Sequence, residues 1–294
     1  MSVEDDIAES TLTVALTSAV DLVESVFSEN SGCGISGLKS GFAELDYLIS
    51  GLQPGDLIVV SGRPSVGKTA FSMNIAENVA RESSKSVIIF SMEMGATQLG
   101  MRMLCAAGKL NLHNVRSSRL EDEDWAEMVK ALGWLNGLKI DIIDSLAVGW
   151  NAECIDKALL EREIKPSLVV IDGLHSFDVT NTSTAYDRNI QLGEHVRILK
   201  KMALKLNVPV ILTTSLSREL EYRPNKRPVL KDLRDIGLLE DIADLILFIY
   251  REELHGHKGS AEIIIGKQRN GPTGMVELIF NEECMRFENP SPAP

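Results

Sequence analysis

Gly62-Arg63-Pro64-Ser65-Val66-Gly67-Lys68-Thr69 is the stretch that decides the fold. It follows the apolar run Asp56-Leu57-Ile58-Val59-Val60-Ser61 without a break and opens a helical stretch over 70–81. That order of strand, glycine-rich turn and helix is what a phosphate-cradling P-loop requires. Glycines at both ends let the backbone curl so that its N–H groups point inward at the phosphates, at a helix N-terminus whose dipole favours anions. In this frame Gly62, Arg63, Pro64, Ser65, Val66 and Gly67 form the cradle, Lys68 neutralises phosphate charge, and the Thr69 hydroxyl holds Mg²⁺. The plain alternative is a chance glycine-rich turn, and having strand, loop and helix all in register argues against it.

Outward from the loop, short apolar runs at 57–60, 86–90, 140–143, 168–171, 208–212 and 245–249 alternate with helical stretches. The pattern predicts an α/β protein with a mostly parallel sheet. Past residue 260 it becomes a meander, with strands over 261–265 and 275–280 around the turn Asn270-Gly271-Pro272-Thr273-Gly274, so an antiparallel hairpin is expected to close the sheet. The run Leu168-Val169-Val170-Ile171 ends in Asp172, a carboxylate at the C-terminal end of a buried parallel strand, placed to hold the magnesium through water. Glu93, in Ser91-Met92-Glu93-Met94, ends the strand after the P-loop helix and is positioned to polarise an attacking water as general base. A loop-capping Asp and a helix-start Glu are the ordinary alternatives. Guanine recognition by Asn-Lys-x-Asp is missing, because Asn225-Lys226-Arg227-Pro228 lacks the acid, and ATP is the expected nucleotide.

Composition bounds the partners. The 294 residues are 44% hydrophobic and 24% charged, the usage of a folded globular chain rather than a disordered one. Thirty Lys and Arg against 42 Asp and Glu give a formal net charge of −12, so contact with nucleic acid has to rest on a local basic patch. Aromatics at 5% leave little for base stacking, which favours a grip on the backbone. Cys33, Cys105, Cys154 and Cys284 form no CxxC pair, which predicts a reducing compartment and no zinc. The N-terminus is acidic with no Lys or Arg before Lys39 and no apolar run of bilayer length, so a cytoplasmic protein without membrane contact is expected. Over 12–27 apolar residues recur at helical spacing, and residues 29–37 then break the pattern with glycine and serine. This amphipathic helix docks either on its own core or on a neighbouring subunit.

Together the motifs resemble the C-terminal motor domain of DnaB-type replicative helicases, a RecA-like ATPase family. The likeness runs from about residue 35 to 289. It rests on Gly41-Phe42-Ala43-Glu44-Leu45-Asp46, Gly51-Leu52-Gln53-Pro54-Gly55-Asp56, Phe90-Ser91-Met92-Glu93-Met94 with Met101-Arg102-Met103-Leu104, Leu206-Asn207-Val208-Pro209-Val210, Lys226-Arg227-Pro228 before Asp232-Leu233-Arg234, and Gly266-Lys267-Gln268-Arg269-Asn270-Gly271-Pro272. The resemblance implies a homo-oligomeric ring, usually a hexamer, with ATP and Mg²⁺ between subunits and single-stranded or forked DNA in the channel. It implies that Lys267 and Arg269 reach the γ-phosphate bound by the adjacent subunit, Arg269 as arginine finger, and that Arg102 touches the nucleotide. Residues 223–234 hold five bases (Arg223, Lys226, Arg227, Lys231, Arg234) and one acid, and with Gly237 they correspond to a DNA-contacting loop. An ordinary charged surface loop is the alternative. The first helix corresponds to the linker that docks on the next subunit.

The expected organisation is a linker helix and joint over 1–34, the motor over 35–289 and a disordered tail over 290–294. With about 34 residues ahead of the motor, a one-tier form is expected, as on a mobile element, in which loading or primase recruitment differs. Ser215 stands where the family has a glutamine that senses the γ-phosphate. The leading function is an ATP-dependent helicase moving 5′ to 3′. The alternatives are a RecA-like ATPase ring that does not unwind and a module that joins a host helicase ring.

Overall fold

The computed structural model describes residues 34–290 other than 83–84, 145–148, 180–183, 237 and 253–258, together with positions 12–14, 16–17, 20–21 and 24. Among these residues nine strands form one sheet: β1 (Leu57–Gly62), β2 (Val87–Ser91), β3 (Ile140–Asp144), β4 (Leu168–Asp172), β5 (Val210–Ser215), β6 (Leu245–Tyr250), β7 (Ser260–Gln268), β8 (Gly274–Asn281) and β9 (Arg286–Glu288). Their order is β3-β2-β4-β5-β1-β6-β7-β8-β9. The first six are mutually parallel, and the last three join antiparallel. The mostly parallel sheet with a C-terminal antiparallel hairpin is as the sequence predicts. The strand β9 is an addition to that expectation, because three residues carry no readable alternation.

The centre of the sheet is buried on both sides, so β1, β4 and β6 are apolar over most of their length, whereas the edge strand β3 carries the exposed Asp141 and Asp144. Ile58 and Val60 of β1 pack with the P-loop helix Lys68–Arg81 on one face, while Leu57 and Val59 pack with the helix Ala185–Leu206 on the other. All six residues of β1 are buried. Flanked by β5 and β6, the strand fixes the P-loop at the C-terminal edge of the sheet. The opposite end of β1 is fastened as firmly. Leu57 N–H donates to Asp244 Oδ2 at 2.8 Å, Asp244 N–H donates to Leu57 O at 3.0 Å, and Lys200 Nζ bridges Gly55 O and Asp244 Oδ2.

One irregularity redirects the chain. Ile246 pairs with Lys267 and Leu247 with Ile265, so Gly266 is an extra residue in β7, a β-bulge. Before it, Ala261, Ile263 and Ile265 face the P-loop-helix side, and Ile264 packs on the other. The inserted residue reverses this alternation. Lys267 thereby reaches the second face, where Nζ donates to Glu240 O and Asp241 O of the short helix Leu238–Ile242. A Cβ at Gly266 would lie 2.4 Å from the Phe248 ring, so only glycine fits there.

The expected helix over 12–27 falls mostly outside the described residues. Leu12, Leu16 and Val20, which are described, are helical and exposed. Of the expected tail, 291–294 lie outside the described residues.

β9 is tied to the P-loop helix by charge. Glu77, 1% exposed, is held by Arg286 Nη1 at 3.1 Å, and Arg286 also donates to Ala106 O. Burial pushes the Glu77 carboxyl up and the Arg286 guanidinium draws it back. Removing Arg286 leaves the buried Glu77 charge to the weaker contact of the exposed Arg81, 3.5 Å away. Arg286→Ala is expected to cost about 3 kcal/mol in a denaturant melt, whereas Glu77→Gln with Arg286→Met should recover most of that loss.

Candidate functional site

Three strand ends converge under the P-loop. Ser91 of β2, Asp172 of β4 and Thr213 of β5 stand side by side in register. Asp172 is 2% exposed, and both its oxygens are used: Thr69 Oγ1 donates to Oδ2 at 2.8 Å and Thr213 Oγ1 to Oδ1 at 2.7 Å. Lys68 Nζ donates to the loop carbonyls of Gly62 and Arg63 at 3.1 and 3.0 Å. Above them opens a cleft of about 570 Å³, lined by Pro64, Ser65 and Gly67 of the loop and by Lys68, Thr69, Glu93, Arg102, Asp172 and Ser215. Two hydroxyls and a carboxylate are hard oxygen donors of the kind Mg²⁺ takes, so the residues present fit that ion.

The charges are mutually tuned. Burial holds Lys68 below its ordinary value, and Glu93 and Asp172 oppose this. Partial burial pushes Glu93 up, the Asp172 charge adds to that, and Lys68 and His175 pull it down. Glu93 is thereby set between the opposing influences of Lys68 and Asp172.

The cleft gathers residues from across the sequence reading, but not all of them. Glu93 and Arg102 line it with the P-loop, although 103 residues separate Thr69 from the Asp172 that accepts its hydrogen bond. Gly62 ends β1 and Val66 is buried behind the loop, while Arg63 pairs with Glu221 at 3.1 Å. Lys267 and Arg269 are elsewhere. Leu57 and Leu245 mark the N-terminal edge of the parallel strands, Gln268 pairs with Leu245, and Arg269 N–H donates to Asp244 O. That edge lies five residues of β1 from Gly62, about 17 Å along the strand.

The basic loop is partly neutralised. Arg223 pairs with Asp232 at 2.7 Å, and Arg227 makes a two-pronged contact to Glu262 of β7 while lying over the Tyr250 ring. Lys226 is half-buried and Lys231 exposed. The Arg234 side chain and Gly237 lie outside the described residues.

Three neighbours of the cleft escape the sequence reading. Arg251, one residue past β6, lines it, is ion-paired with Glu282 and sits 4.5 Å over Phe280. Thr213 holds Asp172. His175 Nε2 lies 3.0 Å from Thr214 Oγ1 and 3.3 Å from Ser215 O, joining the ends of β4 and β5. The position of Arg251 at a strand end on the P-loop side is a usable signal, whereas the other two contacts depend on strand order.

Gly173 is the hinge on which Glu93 rests. Its φ of +113° is one that side-chain-bearing residues rarely adopt, and a Cβ there would meet Glu93 Cγ at 2.8 Å. Gly173→Ala is expected to retain nucleotide binding and lose ATP turnover by about tenfold or more as the carboxylate is pushed aside. Binding of a fluorescent ATP analogue measured beside steady-state hydrolysis separates the two effects.

Comparison with known proteins agrees with this geometry. Residues 37–289 match the family model of the DnaB-like helicase C-terminal domain. The replicative DNA helicase DnaB of Geobacillus stearothermophilus is 44% identical over 262 residues, which are 87% of this chain and 57% of that protein. The replicative DNA helicase DnaC of Bacillus subtilis is 43% identical over 259 residues, again 57% of its length. The chain therefore spans little more than half the length of these relatives. Among solved structures, an isolated ATPase domain superposes with a TM-score of 0.86 at 33% identity, covering 96% of this chain and all of that one. A DnaB-like replicative helicase, described with its interactions with primase, superposes at 0.84 and 33% identity, covering 98% of this chain and 68% of that one. The mostly parallel sheet around a P-loop is thus a RecA-like core, and the chain belongs to the DnaB-like helicase C-terminal domain family.

Proposed function

We propose that the protein is an ATP-driven DNA helicase motor that works as a ring of like subunits, six by analogy with the family, translocating 5′ to 3′ on one strand. The observation that carries this reading is the position of Lys267 and Arg269. Both cations sit at the edge of the sheet opposite the phosphate cleft, some 17 Å from the P-loop of their own chain. Cations at that edge serve a phosphate only if it is held by another subunit, stacked with its cleft against this edge. A head-to-tail contact of this kind generates a ring when its rotation closes, as the family analogy supplies here.

In the reaction, Lys68 and the loop N–H groups hold the β- and γ-phosphates of ATP, and Thr69 and Asp172 hold Mg²⁺, which when bound supplies charge neutralisation at those phosphates. Arg102 and Arg251 border the same cleft and supply further positive charge. Glu93 takes the proton of a water as its oxygen attacks the γ-phosphorus and the bond to the β-phosphate oxygen breaks, leaving ADP and phosphate. Lys267 and Arg269 of the neighbour stabilise the charge that develops on the transferred group, which makes turnover depend on assembly.

DNA is contacted through its backbone by the segment 223–237. With Arg223 and Arg227 engaged by acids, Lys226, Lys231 and Arg234 carry the phosphate contacts, and Gly237 contributes its backbone. The helix beginning near Leu12 docks on the neighbouring subunit, in keeping with the exposed Leu12, Leu16 and Val20. A loader or primase partner, a mobile-element origin and action in the cytoplasm belong to the same reading. Among the described residues no helix is long and apolar enough to cross a membrane. Ser215, with a side chain too short to span the cleft it lines, favours a second reading in which hydrolysis in the ring is not converted into strand separation.

Unwinding of a forked duplex with ATP and Mg²⁺, run beside hydrolysis with and without single-stranded DNA, decides between them. Strand separation supports the motor, and DNA-stimulated hydrolysis without separation supports the second reading. Lys68→Ala is expected to reduce hydrolysis to background, and measurable turnover by it would remove the P-loop assignment.

A further inference from the structure

β7 delivers Arg269 into a set of contacts that the reaction above does not use. Nη2 donates to Asp241 O at 2.8 Å and Ile242 O at 3.3 Å, the last carbonyls of the helix Leu238–Ile242. Nη1 lies 3.3 Å from Asp244 Oδ1, and the backbone N–H donates to Asp244 O at 2.9 Å. Asp244 itself is 7% exposed and fixed from behind, its other oxygen accepting from Lys200 Nζ at 2.5 Å and Leu57 N–H at 2.8 Å. Asp56 beside it is pushed up to about 6, first by burial and then by the Asp244 charge. The Asp244 carboxylate is therefore buried, engaged on both oxygens and anchored to the start of β1.

A guanidinium on a strand end otherwise samples many rotamers and loses that freedom when it is finally fixed. Here three contacts from a rigid floor set its plane, the side chain stays 45% exposed, and these contacts take at most three of its five N–H donors. The outward remainder can address a phosphate without first searching for an orientation.

We propose that Asp244 is the positioning residue of Arg269: its carboxylate, with the terminal carbonyls of the helix Leu238–Ile242, holds the guanidinium ready for the nucleotide of the adjacent subunit. This rests on the trans-acting reading given above. Asp244 thus acts on the neighbour's reaction and not on that of its own P-loop, which a residue that merely supports the local fold would not do.

The test is subunit mixing. Asp244→Asn keeps an oxygen for Leu57 N–H and is expected to bind ATP with unchanged affinity and KM, while the homogeneous protein loses turnover about tenfold or more. Mixed with Lys68→Ala, whose P-loop is dead but whose Arg269 clasp is intact, it is expected to regain activity at least about threefold above the two separate preparations. Arg269→Ala mixed with Lys68→Ala is the control. If the control recovers and the Asp244→Asn mixture does not, the positioning role is overturned and the trans reading stands. If neither recovers, the trans reading falls and this proposal with it. Turnover by homogeneous Asp244→Asn at or above the wild-type rate also overturns the proposal, since the clasp would then be dispensable or a restraint. Should Asp244→Asn fail to fold in a thermal melt, Asp244→Glu retains the charge beside Lys200, displaces the carboxylate by one methylene, and is read in the same two mixtures.

Discussion

The direction and length of β1 constrain everything else. A buried parallel strand has two unlike ends, and here both are committed: the C-terminal end launches the P-loop, and the N-terminal end is locked to Asp244 by reciprocal hydrogen bonds. Because β7 runs antiparallel to β6, its last residues return to the N-terminal edge. A rigid span of about 17 Å therefore lies between the phosphate cradle and the strand-end cations of one chain. A side chain does not span that gap, so in the proposed mechanism the cations and the cradle of a single chain act on different nucleotides.

Local deviations from regular structure serve this division. The bulge at Gly266 turns Lys267 from the face occupied by Ile263 and Ile265 to the face of the helix Leu238–Ile242, whose terminal carbonyls then receive both Lys267 and Arg269. At the other edge, Gly173 with positive φ leaves room for the Glu93 side chain beside the buried Asp172. In each case a glycine removes an atom that would collide, with the Phe248 ring at Gly266 and with the Glu93 side chain at Gly173. Burial in the cleft moves Lys68 and Glu93 away from their ordinary proton affinities, and each opposes the shift of the other.

Much of this is legible in the sequence, and what is not has a common cause. The P-loop can be read because all its parts are contiguous, and the apolar runs of β1, β4 and β6 can be read because a strand buried on both faces is apolar throughout. Asp172 and Glu93 are visible as carboxylates at strand ends. Strand order is not visible, and everything that depends on it stays hidden: Thr213 and His175 against the ends of β4 and β5, Arg251 over Phe280, and the hold of Asp244 on Arg269 from 25 positions away. The basic run 223–234 reads as more strongly charged than it is for the same reason. Its neutralising partner for Arg227 is Glu262, on a strand 35 residues further on.

The central claim is that the nucleotide site of one subunit is completed by the opposite sheet edge of the next. The most direct measurement is ATP turnover per subunit across a dilution series, with the mass of the assembly followed in the same samples. The account predicts that turnover collapses as the assembly dissociates, with nucleotide still bound by the separated chains. Undiminished turnover per subunit by monodisperse single chains would contradict it.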